Sequence, residues 1–279
     1  MFSYQHDYHF GNHADVLKHC ALVLAIRALQ RKDKPLRIID AHAGSGVYDV
    51  RSRIARQKPE YQEGVARLLA AANPPRPVVP YLDVVRSYNP DGDLRLYPGS
   101  PAICRHLLRE NDHLELFERH PDALDGLARN FHGDRRVHIH DRDSFEGLRA
   151  LLPPPERRGL VLFDSAYEVK EDFRTAVEVL QHVHQRWGGG VWIFWYPLIA
   201  DRAAQRFPLK VADTGIRRIY QVELQVERED FPGMRGSGLL IVNLPFGLED
   251  ELRALTPWLW QVLSMEGRGR GRCGWLVPE

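Results

Sequence analysis

The chain of 279 residues is 44% hydrophobic and 27% charged, which is typical of a globular protein with a sizeable core. Its 38 basic and 37 acidic residues leave a formal charge of +1, which neither requires nor excludes a polyanionic partner. The three cysteines are far apart, which argues against a zinc ribbon and a disulfide framework. No signal-like N-terminus and no run of about 18 apolar residues occurs, so we expect a cytoplasmic protein outside the membrane.

The first part of the chain predicts a helix, a strand and then an insertion. Apolar residues at helical spacing over 13–30 predict a helix packed on a sheet. Residues 36–46 predict a short buried strand that opens into a glycine turn. The segment 50–97 differs in composition, with basic residues at its start and a proline cluster, so we expect an insertion. Its two helix-like stretches are 61–72 and 80–88.

After the insertion, helix-like and strand-like stretches alternate, which predicts parallel strands joined by right-handed crossovers. The predicted strands are 113–118, 136–140, 159–164 and 191–196, and the predicted helices are 101–109, 121–131, 144–151 and 171–186. Two further extended runs with a glycine-containing connection predict an antiparallel hairpin at a sheet edge, 217–226 and 237–244. The sequence therefore predicts an α/β fold with a seven-stranded, mostly parallel sheet.

The glycine turn after the first predicted strand reads Asp40-Ala-His42-Ala-Gly44-Ser-Gly46. Glycine lets the backbone approach a ligand closely because it has no Cβ atom. No Gly-Lys-Ser/Thr follows, so the turn is not a P-loop, and Asp49 interrupts a Gly-x-Gly-x-x-Gly fingerprint. A ligand site and an ordinary tight turn both remain open.

Three acidic residues fall just beyond predicted strand ends, namely Glu118, Asp143 and Asp164. In open α/β sheets, ligands bind outside the carboxyl ends of the strands, and an acidic residue after the second strand accepts hydrogen bonds from ribose hydroxyls. An acidic residue after the third strand can accept a bond from an exocyclic amine. The pattern indicates a site for an adenosyl group, although Asp143 before Ser144 also suits a helix N-cap.

The N-terminal histidines His6, His9, His13 and His19 match no zinc spacing, so we predict no metal site. With the neighbouring aromatic residues, the first of them indicate a tail that covers a site. Lys18 and His19 lie in the following helix and can face a ligand, while a solvated helix face is the alternative for Lys18.

Basic residues form clusters near the C-terminus and in the insertion. Arg268, Arg270 and Arg272 stand between glycines, and Arg217 and Arg218 begin the predicted hairpin. Phosphate contacts and simple solubility are both open interpretations. The insertion adds Arg51, Arg53, Arg56 and Lys58.

Four strings spread over the chain carry a family resemblance. They are Ser-Tyr-Gln-His-Asp-Tyr-His-Phe-Gly-Asn-His-Ala-Asp-Val-Leu-Lys-His at 3–19, Asp-Ala-His-Ala-Gly-Ser-Gly at 40–46, Tyr-Pro-Gly-Ser-Pro at 97–101 and Trp-Leu-Val-Pro-Glu at 275–279. Together they resemble the bacterial 23S rRNA adenine-N6 methyltransferase J family from end to end. The first string is far more specific than a Gly-x-Gly turn.

The resemblance implies one Rossmann-like methyltransferase domain over 1–279 that uses S-adenosylmethionine. It implies a helical subdomain inserted over 50–97 and an N-terminal tail, 1–12, that closes over the cofactor. The implied partner is 23S rRNA, protein-free or in an early assembly intermediate, with no membrane and no metal. The implied cofactor contacts are Lys18, His19, His42, Gly44, Gly46, Ser100, Glu118, Asp143, Ser144 and Asp164, and the implied substrate contacts are Tyr4, His6 and Tyr167.

The family's catalytic motif is Asp-Pro-Pro-Tyr, whereas this chain has Asp164-Ser165-Ala166-Tyr167. In that motif the aspartate and a following carbonyl accept the two N–H bonds of the target amine, and the aspartate takes its proton. Tyr167 is expected to stack on the adenine, a contact of about 1 to 3 kcal/mol. The prolines contribute rigidity rather than reactive groups.

The leading interpretation is methyl transfer to N6 of an adenosine in 23S rRNA, with Asp164 and Tyr167 as catalytic residues. A second is an amino methyltransferase that acts on DNA or on a protein amide. A third is an RNA-binding or ribosome-assembly protein whose catalysis is weakened by Ser165 and Ala166.

Overall fold

A central eight-stranded sheet organises residues 8–167 and 170–279, the part of the chain that the computed structural model describes. The strands in chain order are β1 (Arg37–Asp40), β2 (Val47–Asp49), β3 (Leu96–Pro98), β4 (His113–Glu118), β5 (Val137–Asp141), β6 (Gly159–Phe163), β7 (Val191–Leu198), β8 (Ile219–Gln225), β9 (Gly236–Val242) and β10 (Arg270–Val277). The large sheet has the order β10-β8-β9-β7-β6-β1-β4-β5, and β2 pairs separately with β3. Strands β1, β4, β5, β6 and β7 are parallel, while β8, β9 and β10 extend the sheet in antiparallel fashion.

Helices cover both faces of this sheet. They are α1 (His13–Gln30), α2 (Arg53–Gln57), α3 (Val65–Ala70), α4 (Val79–Ser87), α5 (Ser100–Leu107), α6 (Pro121–Phe131), α7 (Ser144–Leu151), α8 (Lys170–Arg186), α9 (Arg202–Ala212) and α10 (Leu248–Leu263). Residues of α1, α5, α6 and α10 share one hydrophobic core with the sheet, and α8 and α9 contribute to a second core on the other face. None of the helices in the described ranges is both long and apolar enough to cross a membrane.

Helix α1 lies inside the protein rather than on its surface. Its residues 14–26 are all buried, and they include the polar side chains of Asp15, Lys18 and His19. Asn12 caps its first turn by accepting hydrogen bonds from the backbone N–H groups of Ala14 (2.9 Å) and Asp15 (3.0 Å). Lys18 is therefore a buried charge, not part of a solvated helix face.

The inserted residues fold as helices between two paired strands. Strands β2 and β3 are antiparallel, with Val47 opposite Pro98, so the chain leaves and re-enters at neighbouring points. Helices α2, α3 and α4 lie between them. Helix α3 begins later than predicted because Gly64 approaches Gly11 closely, and a Cβ at Gly64 would lie 2.0 Å from the Gly11 carbonyl oxygen.

The predicted bounds of α1, α6, α7 and β4 are reproduced, but the strand count of seven is one too low. The additional strand, β10, pairs with β8 in antiparallel fashion, with Arg270 opposite Gln225. The predicted hairpin, β8 and β9, therefore lies inside the sheet and not at its edge. Strand β10 was not predicted because it begins with alternating arginines and glycines, and neither residue type favours a strand.

Candidate active site

The carboxyl ends of the parallel strands bring the predicted acidic residues to one edge of the sheet. Asp40 ends β1 and Glu118 ends β4, while Asp164 follows β6 directly. Asp40 is level with Leu162 in the neighbouring strand, so Asp164 stands two residues farther out along the same edge. Asp143 follows β5 at the start of the next helix. The edge is the position at which open α/β sheets bind their ligands.

The glycine turn after β1 needs its glycines for conformation and for space. Gly44 and Gly46 have φ values of +61° and +81°, in the left-handed region that favours glycine. A Cβ at Gly44 would lie 2.4 Å from the Tyr48 hydroxyl, and one at Gly46 would lie 2.6 Å from the Phe131 ring. The turn therefore presents backbone atoms, without Cβ atoms, at the carboxyl edge.

Glu118 fastens this turn to the end of β4. One carboxylate oxygen accepts the Gly44 N–H at 2.8 Å, and the other accepts the N–H groups of Arg119 (2.7 Å) and His120 (2.8 Å). These bonds fix the carboxylate in one orientation, although a carboxylate has about four acceptor positions and not all of them are used. Glu118 thus orders the site and can still accept a bond from a ligand.

Asp143 is the N-cap of α7, as its sequence context suggested. Its Oδ1 accepts the backbone N–H groups of Phe145 (2.9 Å) and Glu146 (3.3 Å), while Oδ2 lies 3.8 Å from the Arg119 guanidinium. Ser144 is buried in the first turn of the helix. Only Oδ1 caps the helix, so Oδ2 makes no hydrogen bond to the helix N-terminus.

Lys18 joins α1 to the strand end that carries Asp164. Its ammonium forms ion pairs with Asp164 Oδ2 and with Asp15 Oδ1, the latter at 2.8 Å. Burial alone lowers the pKa of Lys18, but the Asp15 and Asp164 carboxylates outweigh burial and raise it above its usual value. Lys18 therefore stays charged and fixes one oxygen of Asp164. The other oxygen makes no hydrogen bond to a described residue.

The buried Asp40 and the half-buried His42 add two titratable groups to the same edge. Burial raises the pKa of Asp40 to about 6, although Ser100 and the His42 N–H act in the opposite direction. Burial lowers the pKa of His42, while the charges of Asp164, Glu118 and Asp143 raise it. Burial outweighs these charges, so the pKa of His42 is lowered and the neutral form of this residue is favoured. Within the described residues, Asp40 Oδ2 and His42 Nδ1 are buried without a hydrogen-bond partner.

His19 differs from the other predicted cofactor contacts. Its side chain is 1% exposed, its Nδ1 lies 2.8 Å from the Tyr97 hydroxyl, and its ring stacks on Tyr97. Its Nε2 lies 3.9 Å from Asp15 Oδ1. The structure thus brings His19 into the interior, where it contacts Tyr97 and lies near Asp15.

Tyr167 also lies away from the open edge. The ring packs on Phe173 with centroids 4.4 Å apart, beside Trp195 and Phe207, and the residue is 7% exposed. Tyr167 has a φ of +48°, an uncommon backbone conformation for a residue with a side chain. Stacking on an adenine would require the ring to leave this apolar environment. The other two predicted substrate contacts, Tyr4 and His6, lie outside the described residues.

Sequence reasoning missed the residues that hold the chain before α1 against the insertion. Glu60 accepts a hydrogen bond from Asn12 Nδ2 and lies 2.9 Å from His9 Nδ1. The Gly11 carbonyl accepts the Val65 N–H at 2.8 Å. No sequence pattern links residues so far apart. Asp15 was also missed as a functional group, although its i, i+3 spacing to Lys18 is a usable signal.

Among the described residues no group of three or more histidine, cysteine, aspartate or glutamate side chains is arranged to hold a metal ion. The arrangement instead suits an uncharged or cationic ligand that accepts and donates hydrogen bonds. It offers a glycine turn, several carboxylates and one carboxylate fixed by a lysine.

Comparison with known proteins identifies the family. The family model described as ribosomal RNA large subunit methyltransferase D, RlmJ, matches residues 33–277. The chain is 41% identical to ribosomal RNA large subunit methyltransferase J of Escherichia coli K12, over 100% of both chains. It is 37% identical to the protein of the same name from Haemophilus influenzae, again over 100% of both. The chain belongs to the ribosomal RNA large subunit methyltransferase J family.

A solved structure agrees with this assignment. The crystal structure of protein LPL1258 from Legionella pneumophila superposes with a TM-score of 0.88 at 31% identity, covering 95% of this chain and 97% of that one. The family is one of rRNA methyltransferases, and the α/β architecture with a mostly parallel sheet is the one that the sequence predicted. The predicted family and fold are therefore confirmed.

S-adenosylmethionine is the cofactor of this methyltransferase family, and the described residues fit it. The glycine turn holds its backbone at the carboxyl edge in a left-handed conformation, and a Cβ at Gly44 or Gly46 would collide with Tyr48 or Phe131. Glu118 and Asp143 retain acceptor capacity at the ends of β4 and β5. The buried Asp40 Oδ2 has an unused position for a donor.

Proposed function

We propose that the chain methylates N6 of an adenosine in 23S rRNA, in the cytoplasm, on RNA that is protein-free or part of an early assembly intermediate. The observation that carries this proposal is the geometry of Asp164. One of its oxygens is fixed by Lys18, and the residue stands at the carboxyl edge beside the glycine turn. Membership in a family of rRNA methyltransferases supports RNA as the substrate.

The chemistry of an exocyclic amine explains why this geometry matters. S-adenosylmethionine, when bound, supplies an electrophilic methyl group. The lone pair of an adenine amine is delocalised into the ring, so the amine attacks poorly unless its N–H groups are held out of plane. Asp164 Oδ1 and a backbone carbonyl after it are suited to accept both N–H groups, and Asp164 takes the released proton. Lys18 holds the carboxylate still and is a positioning residue.

The remaining predicted contacts divide between cofactor and substrate. Glu118 suits the ribose hydroxyls and Asp143, with Ser144, suits the adenine amine of the cofactor. The other proposed cofactor contacts are Lys18, His19, His42, Gly44, Gly46, Ser100 and Asp164. Tyr4, His6 and Tyr167 are proposed to contact the target nucleotide, with Tyr167 turned out of its apolar environment.

Two proposals concern organisation. The helices between β2 and β3 support an inserted subdomain over 50–97, and the bonds from His9 and Asn12 to Glu60 support a segment that reaches it from the N-terminus. We propose that the tail, 1–12, closes over the cofactor. Residues 8–12 of the tail directly precede α1, the helix that carries Lys18.

Basic residues of the insertion support an RNA substrate. The stretch 50–59 contains four cations and no carboxylate, and all four side chains are exposed. None of them forms an ion pair with another residue in the described ranges. Cations in this state are available for phosphate groups. They are Arg51, Arg53, Arg56 and Lys58.

The decisive experiment is methyl transfer from tritiated S-adenosylmethionine to unmodified 23S rRNA transcribed in vitro. We expect label in RNA, recovered as N6-methyladenosine after digestion to nucleosides. Asp164→Asn should abolish transfer and leave cofactor binding largely intact, whereas Asp141→Asn, at the exposed end of β5, should be normal. Label in another nucleoside, or an active Asp164→Asn variant, would contradict the proposal.

Parallel reactions address the alternative functions. Duplex DNA and release-factor-like proteins replace the RNA as acceptors. Label in the DNA or in the protein would indicate an amino methyltransferase that acts on DNA or on a protein amide. RNA binding without any methyl transfer indicates an RNA-binding or assembly protein that retains the cofactor site. The ion pair of Asp164 with Lys18, present despite the missing prolines, favours an active enzyme over a protein that only binds RNA.

A further inference from the structure

A cleft of about 310 Å³ lies at the antiparallel end of the sheet, away from the cofactor residues. Its walls include Leu198 at the end of β7 and Gln205 of α9. The end of β7 is on the same edge as Asp164, because β7 is parallel to β6 with Phe194 opposite Phe163. The cleft therefore opens on the edge that carries the catalytic carboxylate.

The alternating arginines and glycines at the start of β10 supply one wall of the cleft. Side chains alternate across a strand, so glycines and arginines fall on opposite faces. Gly271 lies against α10, where a Cβ would be 2.8 Å from the Thr256 carbonyl oxygen. Arg270 and Arg272 lie on the opposite face and line the cleft. The glycines thus allow close packing, and the arginines are left for the cleft.

A buried polar network orients Arg272. Glu223 is 7% exposed, and its Oε1 accepts the Tyr196 hydroxyl (2.7 Å) and the Gln221 amide N–H (2.9 Å). Its Oε2 accepts the Arg272 Nε–H at 2.5 Å. The carboxylate has a partner on each oxygen, so it anchors the guanidinium. Only the Arg272 groups not facing Glu223 remain for a ligand.

Two further arginines carry charge that no described carboxylate neutralises. Arg235 donates to the backbone carbonyls of Glu229 (2.6 Å) and Ile199 (2.9 Å), and its buried Nε has no partner among the described residues. Arg270 is exposed and makes no ion pair with a described residue. The cleft also contains the exposed Glu229, so three arginines face two carboxylates and the net charge is positive.

The position of the cleft identifies the molecule that reaches it. The glycine turn, Glu118 and Asp143 belong to β1, β4 and β5, which lie on one side of β6. Strands β7 to β10 lie on the other side of β6, which the proposed cofactor residues leave open to a substrate that meets the cofactor at Asp164. Arg272 on β10 is four strand spacings from β6, or about 19 Å, which a few nucleotides span.

We propose that Arg235, Arg270 and Arg272 bind the phosphodiester backbone of the substrate RNA a few nucleotides from the target base. This inference rests on the proposed RNA methyltransferase function and adds a surface to it. Guanidinium groups with fixed orientation are the side chains best suited to phosphate oxygens. Their distance from Asp164 makes them binding residues that act before the methyl group moves.

The test measures RNA binding and methylation separately. The variants are Arg270→Gln and the charge-neutral pair Glu223→Gln/Arg272→Gln, with Arg129→Gln on the distant end of α6 as the control. Binding of a fluorescein-labelled single-stranded RNA is followed by anisotropy as salt is varied. We expect Arg270→Gln to weaken binding up to about tenfold and to reduce the log–log salt slope by about 0.7.

Methylation of unmodified 23S rRNA then shows where the effect lies. We expect Arg270→Gln to raise KM for RNA and to leave kcat at saturating RNA unchanged, while Arg129→Gln matches the parent. An unchanged salt slope and KM in Arg270→Gln overturns the inference while the wild-type activity upholds the proposed function. An effect seen only on assembled particles, and not on protein-free RNA, also overturns it by indicating a protein partner. Loss of RNA methylation in the wild type itself refutes the proposed function instead.

Discussion

Lys18, which is buried, forms an ion pair with the partly buried Asp164, although the two residues are 146 positions apart in the sequence. The pair connects the interior helix α1 to the end of β6. Asp15 joins it as a second carboxylate, so one ammonium pairs with two carboxylates. The orientation of the Asp164 carboxylate therefore depends on the packing of α1.

Replacement of Lys18 by methionine is expected to destabilise the fold as well as the reaction. The substitution leaves Asp15 and Asp164 without their common cation, and breaking a buried pair in this way costs about 3 to 5 kcal/mol. Urea unfolding and 23S rRNA methylation measure the two effects. Lys32→Met, at an exposed position just after α1, is the matched control and should change neither. A Lys18→Met protein with parental stability would show that the pair contributes little.

The double substitution Ser165→Pro/Ala166→Pro is expected to raise kcat up to about tenfold, because it restricts the backbone that positions Asp164 and the following carbonyl. Single-turnover methylation of 23S rRNA separates this effect from product release. The KM for cofactor should change little, since the glycine turn and Glu118 are untouched. An unchanged rate would indicate that Asp-Ser-Ala-Tyr is already well ordered.

Gly44→Ala is expected to weaken cofactor binding and stability together. The new Cβ would lie 2.4 Å from the Tyr48 hydroxyl, at a φ of +61°. Gly92→Ala is the control, because Gly92 has a φ of +89° but no atom within 4 Å of the place that an alanine Cβ would take. Backbone strain alone costs about 1 to 2 kcal/mol in both variants. Calorimetric titration with S-adenosylmethionine should show a loss in Gly44→Ala only.

Asp40→Asn is expected to stabilise the protein at neutral pH. The folded-state pKa of Asp40 is about 6, above its usual 3.8, so the native state binds this proton more tightly than the unfolded chain. The resulting stability is fully present below pH 3.8 and is lost as the pH rises through 6. The loss amounts to about 3 kcal/mol, which the asparagine avoids.

Urea unfolding of this variant and the parent from pH 4 to pH 7 tests the direction in which the stability difference changes with pH. The stability difference should grow in favour of Asp40→Asn as the pH rises. Asp91→Asn, at an exposed position, should show no such trend. A difference that shrinks with rising pH would falsify the assignment.

Glu60→Gln is expected to loosen the chain before α1. Glu60 bonds to Asn12 and pairs with His9, and these contacts outweigh burial and lower its pKa. Glutamine is neutral, so the variant lacks the negative charge that His9 and Asn12 contact. Hydrogen exchange at residues 8–12 should become faster, while Glu63→Gln, which removes an exposed i, i+4 pair with Arg67, should leave it unchanged. Equal exchange in both variants would assign the contact no role in ordering this segment.

Local sequence patterns predicted correctly those elements in which the spacing of apolar residues matches the burial in the structure. Helix α6 and strand β4 have the predicted bounds because periodicity and burial coincide there. Helices α9 and α10 were not predicted from the sequence. Each contains an interior proline, Pro208 in α9 and Pro257 in α10, and a proline in the sequence usually indicates the end of a helix. Packing against the sheet outweighs that local cost.

The sequence by itself determined the family, the α/β alternation and the acidic residues at the strand ends, because these depend on short segments and on strings of recognisable motifs. Only the tertiary structure decided that Lys18 is buried against Asp15 and Asp164, that His19 and Tyr167 face inward, and that β10 completes the sheet. Each of these depends on which distant segments meet, and therefore on burial and strand pairing that no local pattern records.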